Sequence, residues 1–427
     1  MSGVVVTKAL PVIVRPSSES ELGTPPPLPN DTTVALSFFD RCVPPIPVTS
    51  LLVFDRAIHD PVQTIKMALS RALAHYRPLA GRLDGAGNIA CTDEGVPFVA
   101  ASAGCALQDA TPAALRQAED LVVRYPGLLC RDAADPLLLV QVTEFACGGF
   151  AVGVTSNHVA ADGVGMGQFL QAVGELARGV SAPSVAPTRR WDDGGGALPA
   201  APPPKSSTAA ERDARRLVRL DVVVPSGLIG RVKAGRFGGE RCTALDAVMA
   251  VLWRCRTRAT TTAGDAPARL NFVCNVRARA GAPAGYYGNC LHMQAVEATA
   301  GEVAGSEIGH LVRLIRLAKA KVPGGGDDED SGVVAGADEQ QQQPQPLWYE
   351  AFNVTDWRNL GLDAVDFGGG APARVLWQEE RTTVPGCVVC PPRRKGAAGR
   401  EDDDGVDVST MFVVPEHGSR LKMRNLR

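Results

Sequence analysis

No apolar run in these 427 residues approaches the roughly 20 residues that a membrane-spanning helix needs. The amino terminus, Met1 to Pro16, has strand-like stretches at Val4 to Val6 and Val12 to Val14 but no h-region or cleavage pattern of a secretory signal. Neither sign of charge is in excess. The 44 Lys and Arg residues stand against 46 Asp and Glu, a net charge of -2, which argues against a polyanion partner or a membrane surface. There is no repeat of solenoid period. No G-x-S-x-G elbow occurs, which disfavours a serine hydrolase using water. The glycines at 163, 165 and 167 lack the G-x-G-x-x-G order, and no Gly-Lys-Ser/Thr follows them, so a phosphate loop is not indicated. The 11 cysteines are odd in number and scattered. That suits reduced thiols in a cytoplasmic protein better than a disulfide framework. The single C-x-x-C, Cys387 to Cys390, sits in a Val-rich run before Pro391-Pro392 and reads as a pair of buried strand cysteines.

What is present points to a globular protein of about two domains: hydrophobic residues make up 45% of the chain. Asp60-Pro61 opens a helix with an N-cap and a first-position proline, and Ile65, Leu69, Leu73 and Tyr76 mark its apolar face. Residues 137–145 and 150–157 read as an antiparallel hairpin joined by Ala146-Cys147-Gly148-Gly149. From 178 to 216 the chain turns rich in Pro, Gly, Ala and Ser without periodicity and is expected to be a linker. This divides the chain into residues 1–177 and 217–427. In the second part Leu217 to Val224 and Leu270 to Val276 read as strands. Thr243-Ala244-Leu245-Asp246 forms a capping box ahead of a helix, and a further helix carries Ile308, Leu311, Val312 and Ile315. Residues 324–346 and 393–405 are low in apolar side chains and are expected to be mobile surface insertions. The fold class is mixed α/β.

The segment Ser156-Asn157-His158-Val159-Ala160-Ala161-Asp162-Gly163 carries the chemistry. Phe150, Val152 and Val154 alternate with smaller residues, the pattern of a half-buried strand. Phe169, Leu170, Val173 and Leu176 then fall at helical spacing. His158 thus stands at a strand-to-helix corner, where a neutral imidazole could take a proton from a hydroxyl or amine. A packed core histidine is the bland alternative. A metal half-site with Asp162 is another, although no third ligand lies at a zinc-like spacing and no metal is expected. The glycines permit close backbone approach at the corner.

Four further blocks lie in register with this one: Tyr76-Arg77-Pro78-Leu79-Ala80-Gly81-Arg82-Leu83, Asn275-Val276-Arg277-Ala278-Arg279, Gly285-Tyr286-Tyr287-Gly288-Asn289, and Asp366-Phe367-Gly368-Gly369-Gly370 behind Thr355-Asp356-Trp357. In order and spacing they resemble the plant BAHD acyl-CoA-dependent acyltransferases, from Ser37-Phe38-Phe39-Asp40 to Val413. The resemblance implies two chloramphenicol-acetyltransferase-like domains with a channel at their interface. It places His158 at the channel midpoint as general base. Acyl-CoA is implied as co-substrate, with no permanently bound cofactor. A small-molecule acceptor is its other partner, without nucleic acid or membrane, and the enzyme is expected to be a cytoplasmic monomer.

The resemblance also implies roles for other residues. Asp162 would pair with an arginine, Arg277, and hold the corner with Gly163 rather than act as a charge partner of His158. Thr383, or its neighbour Thr382, is the oxyanion donor suggested by position. Thr243 and Arg254 fall where relatives approach CoA; the alternatives are a helix N-cap and a surface charge. Asp366, Phe367, Gly368 and Gly370 would be architectural. The family pattern has tryptophan where Gly369 stands and phenylalanine where Tyr287 stands. Asn359 occupies the place of an arginine that some relatives use to hold an acidic acceptor, while Arg358 is adjacent; this disfavours an acidic acceptor. The activity implied is transfer of an acyl group, hydroxycinnamoyl-type by the lean of the Ser37 to Asp40 block, to a hydroxyl or amine. A non-catalytic accessory protein of acyl metabolism is the alternative, disfavoured by the intact Asn157-His158 corner.

Overall fold

A computed structural model describes residues 4–18, 32–110, 114–115, 118–127, 129–130, 132–191, 218–235, 242–260, 263–321, 351–378, 386–392 and 405–413. The expected insertions at 324–346 and 393–405, apart from Gly405, and the linker beyond 191, lie outside the described residues.

Two large sheets organise the chain. The first contains β1 (Val6–Lys8), β2 (Val12–Val14), β4 (Pro47–Phe54), β7 (Val96–Ala103), β8 (Leu138–Phe145), β9 (Phe150–Asn157) and β14 (Arg374–Trp377). Its order is β1-β7-β8-β9-β4-β14, with β2 also paired to β7. A small sheet of β3 (Thr33–Ala35), β5 (Arg82–Leu83) and β6 (Asn88–Ala90) lies beside it. The second large sheet has the order β10 (Val218–Pro225), β16 (Gly405–Val413), β15 (Gly386–Val389), β13 (Phe352–Asp356), β11 (Pro267–Asn275) and β12 (Leu291–Thr299). Parallel pairs (β7/β8, β11/β13, β13/β15) mix with antiparallel ones.

Burial explains the layers. The helices Pro61–His75 and Gly163–Ala177 lay Ile65, Leu69, Leu73, Phe169, Leu170 and Val173 on one face of the first sheet. The side chain of Asp60 caps the first of these by accepting from the Gln63 amide at 3.0 Å. The other face of the sheet is covered too. Ala151 on β9 and Leu51 on β4 pack with Leu107, Leu121 and Val122. This corrects the half-buried reading of β9: every residue from Phe150 to Asn157 is buried, because β9 is a central strand with both faces covered. In the second sheet the helices Ala244–Thr260 and Ile308–Ala320 bury Leu252, Trp253, Leu311 and Ile315.

A division at residues 178–216 does not separate the two sheets. β14, more than halfway through the second part, hydrogen-bonds to β4 with Trp377 opposite Ser50. Trp357, Leu362, Val365, Phe367, Val375 and Trp377 all belong to the first core. The C-x-x-C is divided in the same way. Cys387 packs in the second core and Cys390 in the first, and neither is in a disulfide.

The helix Gly163–Ala177 meets this returning segment through Gly167, and the turn before β12 through Gly165. A Cβ on Gly165 would overlap the Tyr287 carbonyl oxygen, and one on Gly167 the Leu360 carbonyl oxygen. Both obstacles are backbone, so they cannot rotate away. Gly165→Ala is therefore expected to destabilise the fold by about 1–3 kcal/mol, the range for overpacking, read as a lower midpoint in denaturant with an unchanged slope.

Candidate active site

The corner at the end of β9 is made by its own polar groups. Asn157 accepts the Val159 amide through its side-chain oxygen at 3.1 Å, and its carbonyl accepts the Ala160 amide at 2.9 Å. These turn the chain sharply after the strand. The His158 amide donates to the Ile46 carbonyl at 2.9 Å, continuing the β9–β4 edge. Asp162 ends the corner as N-cap of the next helix, accepting the Gly165 amide at 2.9 Å.

Asp162 has more partners than a cap needs. Arg277 donates to its two carboxylate oxygens, Nη1 to Oδ2 and Nη2 to Oδ1, each at 2.8 Å. The Cys290 amide adds a bond at 3.1 Å. Arg277 also donates to the carbonyls of Tyr286 and Gly288. The Asp162 side chain is fully buried while that of Arg277 retains 16% exposure. This fork-to-fork pair joins the His158 corner to the second half. Gly163 opens the helix with its α-carbon against the Leu360 side chain.

The ring of His158 turns to a different residue, Asn289, from the Gly-Tyr-Tyr-Gly-Asn block. His158 Nδ1 lies 3.1 Å from Asn289 Oδ1. The amide nitrogen of Asn289 faces three acceptors: Asp40 Oδ1 at 2.9 Å, the His158 carbonyl at 2.9 Å and the Val159 carbonyl at 3.2 Å. Rotating the amide by half a turn would set an oxygen against these three oxygens. The orientation is thereby fixed, and Nδ1 must carry the hydrogen given to Oδ1. The neutral ring then has its lone pair on Nε2, the atom required of a general base.

Asn289, Asp40 and Arg189 were not singled out in the sequence. Asp40 is fully buried, and Arg189 donates to it at 2.9 Å. Arg189 belongs to the stretch expected to be a passive linker. Instead Thr188 and Tyr286 form a β-bridge, and Trp191 stacks on Phe39 with ring centroids 5.7 Å apart. Asn289 and Asp40 lie in blocks that carry the family resemblance, and Ser37 three residues before Asp40 forms a reciprocal capping box with it.

Other candidates fall elsewhere. Thr243 is an N-cap: its hydroxyl accepts the Asp246 amide at 3.1 Å, and Asp246 accepts the Thr243 amide at 2.9 Å. Arg254 donates to the Ser306 carbonyl at 3.4 Å, and burial lowers its pKa. Thr382 and Thr383 lie outside the described residues. The Asp366 block packs into the first core. Asp366 Oδ1 accepts the amides of Gly368 and Gly370, each at 2.8 Å, and Phe367 meets the Phe54 ring edge-on at 5.2 Å. Gly368 and Gly370 have φ of 117° and 98°, which non-glycine residues avoid. A Cβ on Gly369 would stand 3.0 Å from Ile58, so a tryptophan there would need its neighbours to move.

Two buried groups bear on the chemistry. Burial pushes the Cys290 thiol up to about 12, which keeps it protonated and a poor nucleophile. The Tyr287 hydroxyl is buried without a hydrogen-bond partner among the described residues, and burial raises its pKa. An unsatisfied buried hydroxyl costs about 1–3 kcal/mol. Tyr287→Phe, which restores the family pattern, is expected to raise stability by about 1 kcal/mol, measured as a higher midpoint in urea. Among the described residues no cluster of three or more His, Cys, Asp or Glu is arranged to hold a metal ion, and no helix is long and apolar enough to cross a membrane.

Known proteins resemble the chain over most of its length. The Transferase family matches residues 13–416. Acyl transferase 15 of Oryza sativa subsp. japonica is 41% identical over 391 residues, covering 87% of each chain. A myricetin 3-O-glucosyl 1,2-rhamnoside 6'-O-caffeoyltransferase, AT1, of Crocosmia x crocosmiiflora is 33% identical over 419 residues, covering 89% of this chain and 90% of that protein. Among solved structures, vinorine synthase superposes with a TM-score of 0.72 at 21% identity, covering 97% of this chain and 96% of that one. The F. sporotrichioides TRI101 complex with coenzyme A and T-2 gives 0.62 at 17% identity, over 92% and 98%. The chain therefore belongs to the Transferase family of plant BAHD acyltransferases, enzymes that transfer acyl groups from acyl-CoA.

Proposed function

We propose that this enzyme transfers an aromatic, hydroxycinnamoyl-type acyl group from acyl-CoA to a hydroxyl or amine of a small plant metabolite, with His158 as general base. The observation that carries the proposal is the 3.1 Å contact of His158 Nδ1 with Asn289 Oδ1, which assigns the hydrogen to Nδ1 and leaves Nε2 to accept a proton. Nε2 removes the acceptor's proton, and the freed oxygen or nitrogen attacks the thioester carbonyl. The tetrahedral oxyanion collapses and expels the CoA thiolate, to which His158 returns the proton. Both substrates are held together in a channel between the halves, so attack is effectively intramolecular. No acyl-enzyme is needed, in keeping with the protonated thiol of Cys290.

The hydroxycinnamoyl preference draws on the caffeoyltransferase relatives. A non-acidic acceptor is supported by Arg358, whose Nε and Nη2 are taken up by Asp356 at 2.8 and 2.9 Å. We take the enzyme to act as a cytoplasmic monomer. The test is incubation with hydroxycinnamoyl-, benzoyl- and small acyl-CoAs and a pool of alcohols, amines and flavonol glycosides, following free thiol and product mass. Thiol release with a product of acceptor plus acyl mass is expected with a hydroxycinnamoyl donor. CoA binding without thiol release for any pair would favour the accessory-protein reading instead.

A further inference from the structure

Asp40 and Arg189 form a buried ion pair that the chemistry described so far does not use. Asp40 accepts five hydrogen bonds. Oδ2 takes the Ser37 amide at 2.8 Å, the Ser37 hydroxyl at 2.7 Å and Arg189 Nη1 at 2.9 Å. Oδ1 takes both the amide and the side-chain nitrogen of Asn289, each at 2.9 Å. Arg189 Nη2 reaches the Val159 carbonyl at 3.5 Å, next to His158, and its guanidinium lies 6.0 and 5.8 Å from the ring centroids of Tyr286 and Tyr287. Three separated parts of the chain converge here: the short helix at Phe38–Arg41, the crossover stretch, and the turn before β12.

A buried ion pair is a poor device for stability, because desolvation offsets its attraction and an apolar replacement often does as well. What this pair does supply is direction. A carboxylate is an acceptor at both oxygens. With Oδ2 engaged by Ser37 and Arg189, Oδ1 is aimed at Asn289 and requires a donor there. That requirement orients the Asn289 amide, whose other end holds the Nδ1 hydrogen of His158.

We propose that Asp40 and Arg189 are positioning residues for the transfer reaction. They act through Asn289 to hold His158 in the tautomer with its hydrogen on Nδ1. In consequence the crossover stretch, through Arg189, is part of the catalytic apparatus. The proposal rests on His158 being the base. It predicts that disturbing either ion-pair partner changes the state of a ring that neither of them touches.

The test is 15N NMR of histidine-labelled full-length protein, which has six histidines, with His158 assigned by its loss in His158→Gln. In the neutral ring of the wild type, Nδ1 should give the protonated signature and Nε2 the unprotonated one. In Asp40→Asn and Arg189→Met, His158 should show a mixture of tautomers. Transfer kcat should fall on the order of 10- to 100-fold, as for loss of a supporting partner of a functional side chain, with KM for acyl-CoA little changed. Arg189→Lys, which keeps the cation, should recover much of the wild-type signature. An Nε2–H ring in the wild type would overturn the proposal, with no variant needed. So would variants that lose turnover with the His158 signature unchanged, since that is the behaviour of a merely structural pair. A wild type that releases thiol from no acyl-CoA, yet whose His158 signature responds to Asp40→Asn, would sink the transfer reading and uphold the relay.

Discussion

His158→Ala is expected to lower kcat by roughly 10²- to 10⁴-fold, the range for loss of a positioned general base, while acyl-CoA still binds. His158 Nδ1 is committed to Asn289, and Nε2 remains the basic atom. On the proposed mechanism, removing the ring leaves thioester and acceptor with no group to take the acceptor's proton. The backbone at residue 158 keeps its bond to Ile46, and the Asn157 turn does not involve the imidazole. The variant should therefore fold, and its melting temperature should stay within a few degrees of the wild type. Steady-state thiol release beside calorimetric CoA binding separates the two effects. Full turnover in His158→Ala would remove His158 from the mechanism.

Asp162→Asn should behave differently. A carboxylate that accepts four hydrogen bonds, two of them from Arg277, becomes an amide. Its NH₂ group then faces a guanidinium donor, and Arg277 loses its counter-charge in a largely buried position. Breaking such a pair from one side costs about 3–5 kcal/mol when fully buried. The residual exposure of Arg277 puts the expectation near the lower end, about 3 kcal/mol. Denaturant unfolding should show that loss, with a fall in activity that follows the loosened corner. A variant of wild-type stability with no turnover would instead argue that Asp162 works directly on the reaction. The geometry opposes this, because the carboxylate is spent on the helix cap and on Arg277 while the imidazole is held by Asn289.

Local features were the ones legible in the sequence. The Asp60-Pro61 start, the Thr243/Asp246 capping box and the β8–β9 hairpin all follow from residues within a few positions of one another. The family pattern adds the Asp162–Arg277 contact across 115 positions, which periodicity alone does not supply. Asn289 and Asp40 lie in the family blocks, but their contacts behind His158 were not legible for a physical reason. Asn289 is 131 positions from His158 and Asp40 is 249 from Asn289. Arg189 sits among Pro, Ala and Ser, where no period of 2 or 3.6 marks a buried face. A residue held by long-range hydrogen bonds leaves no trace in the spacing of its neighbours. The half-buried reading of β9 fails for a related reason: small residues such as Ala151 and Gly153 look like an open face, but they make room for a loop packed against them.

The placement of β14 has a consequence for how the protein is made. During synthesis β4 leaves the ribosome early, but its edge partner follows roughly 320 residues later, an interval of roughly 15–60 s at ordinary elongation rates. Throughout that interval the nascent first sheet has an unpaired edge at Leu51 to Val53, and Phe54 and Phe150 lack the cover of Phe367. An open edge beside exposed aromatic surface is a template for aggregation. The first half should therefore depend on chaperones until the chain is nearly complete, and a gene fragment ending before Arg374 should yield insoluble protein.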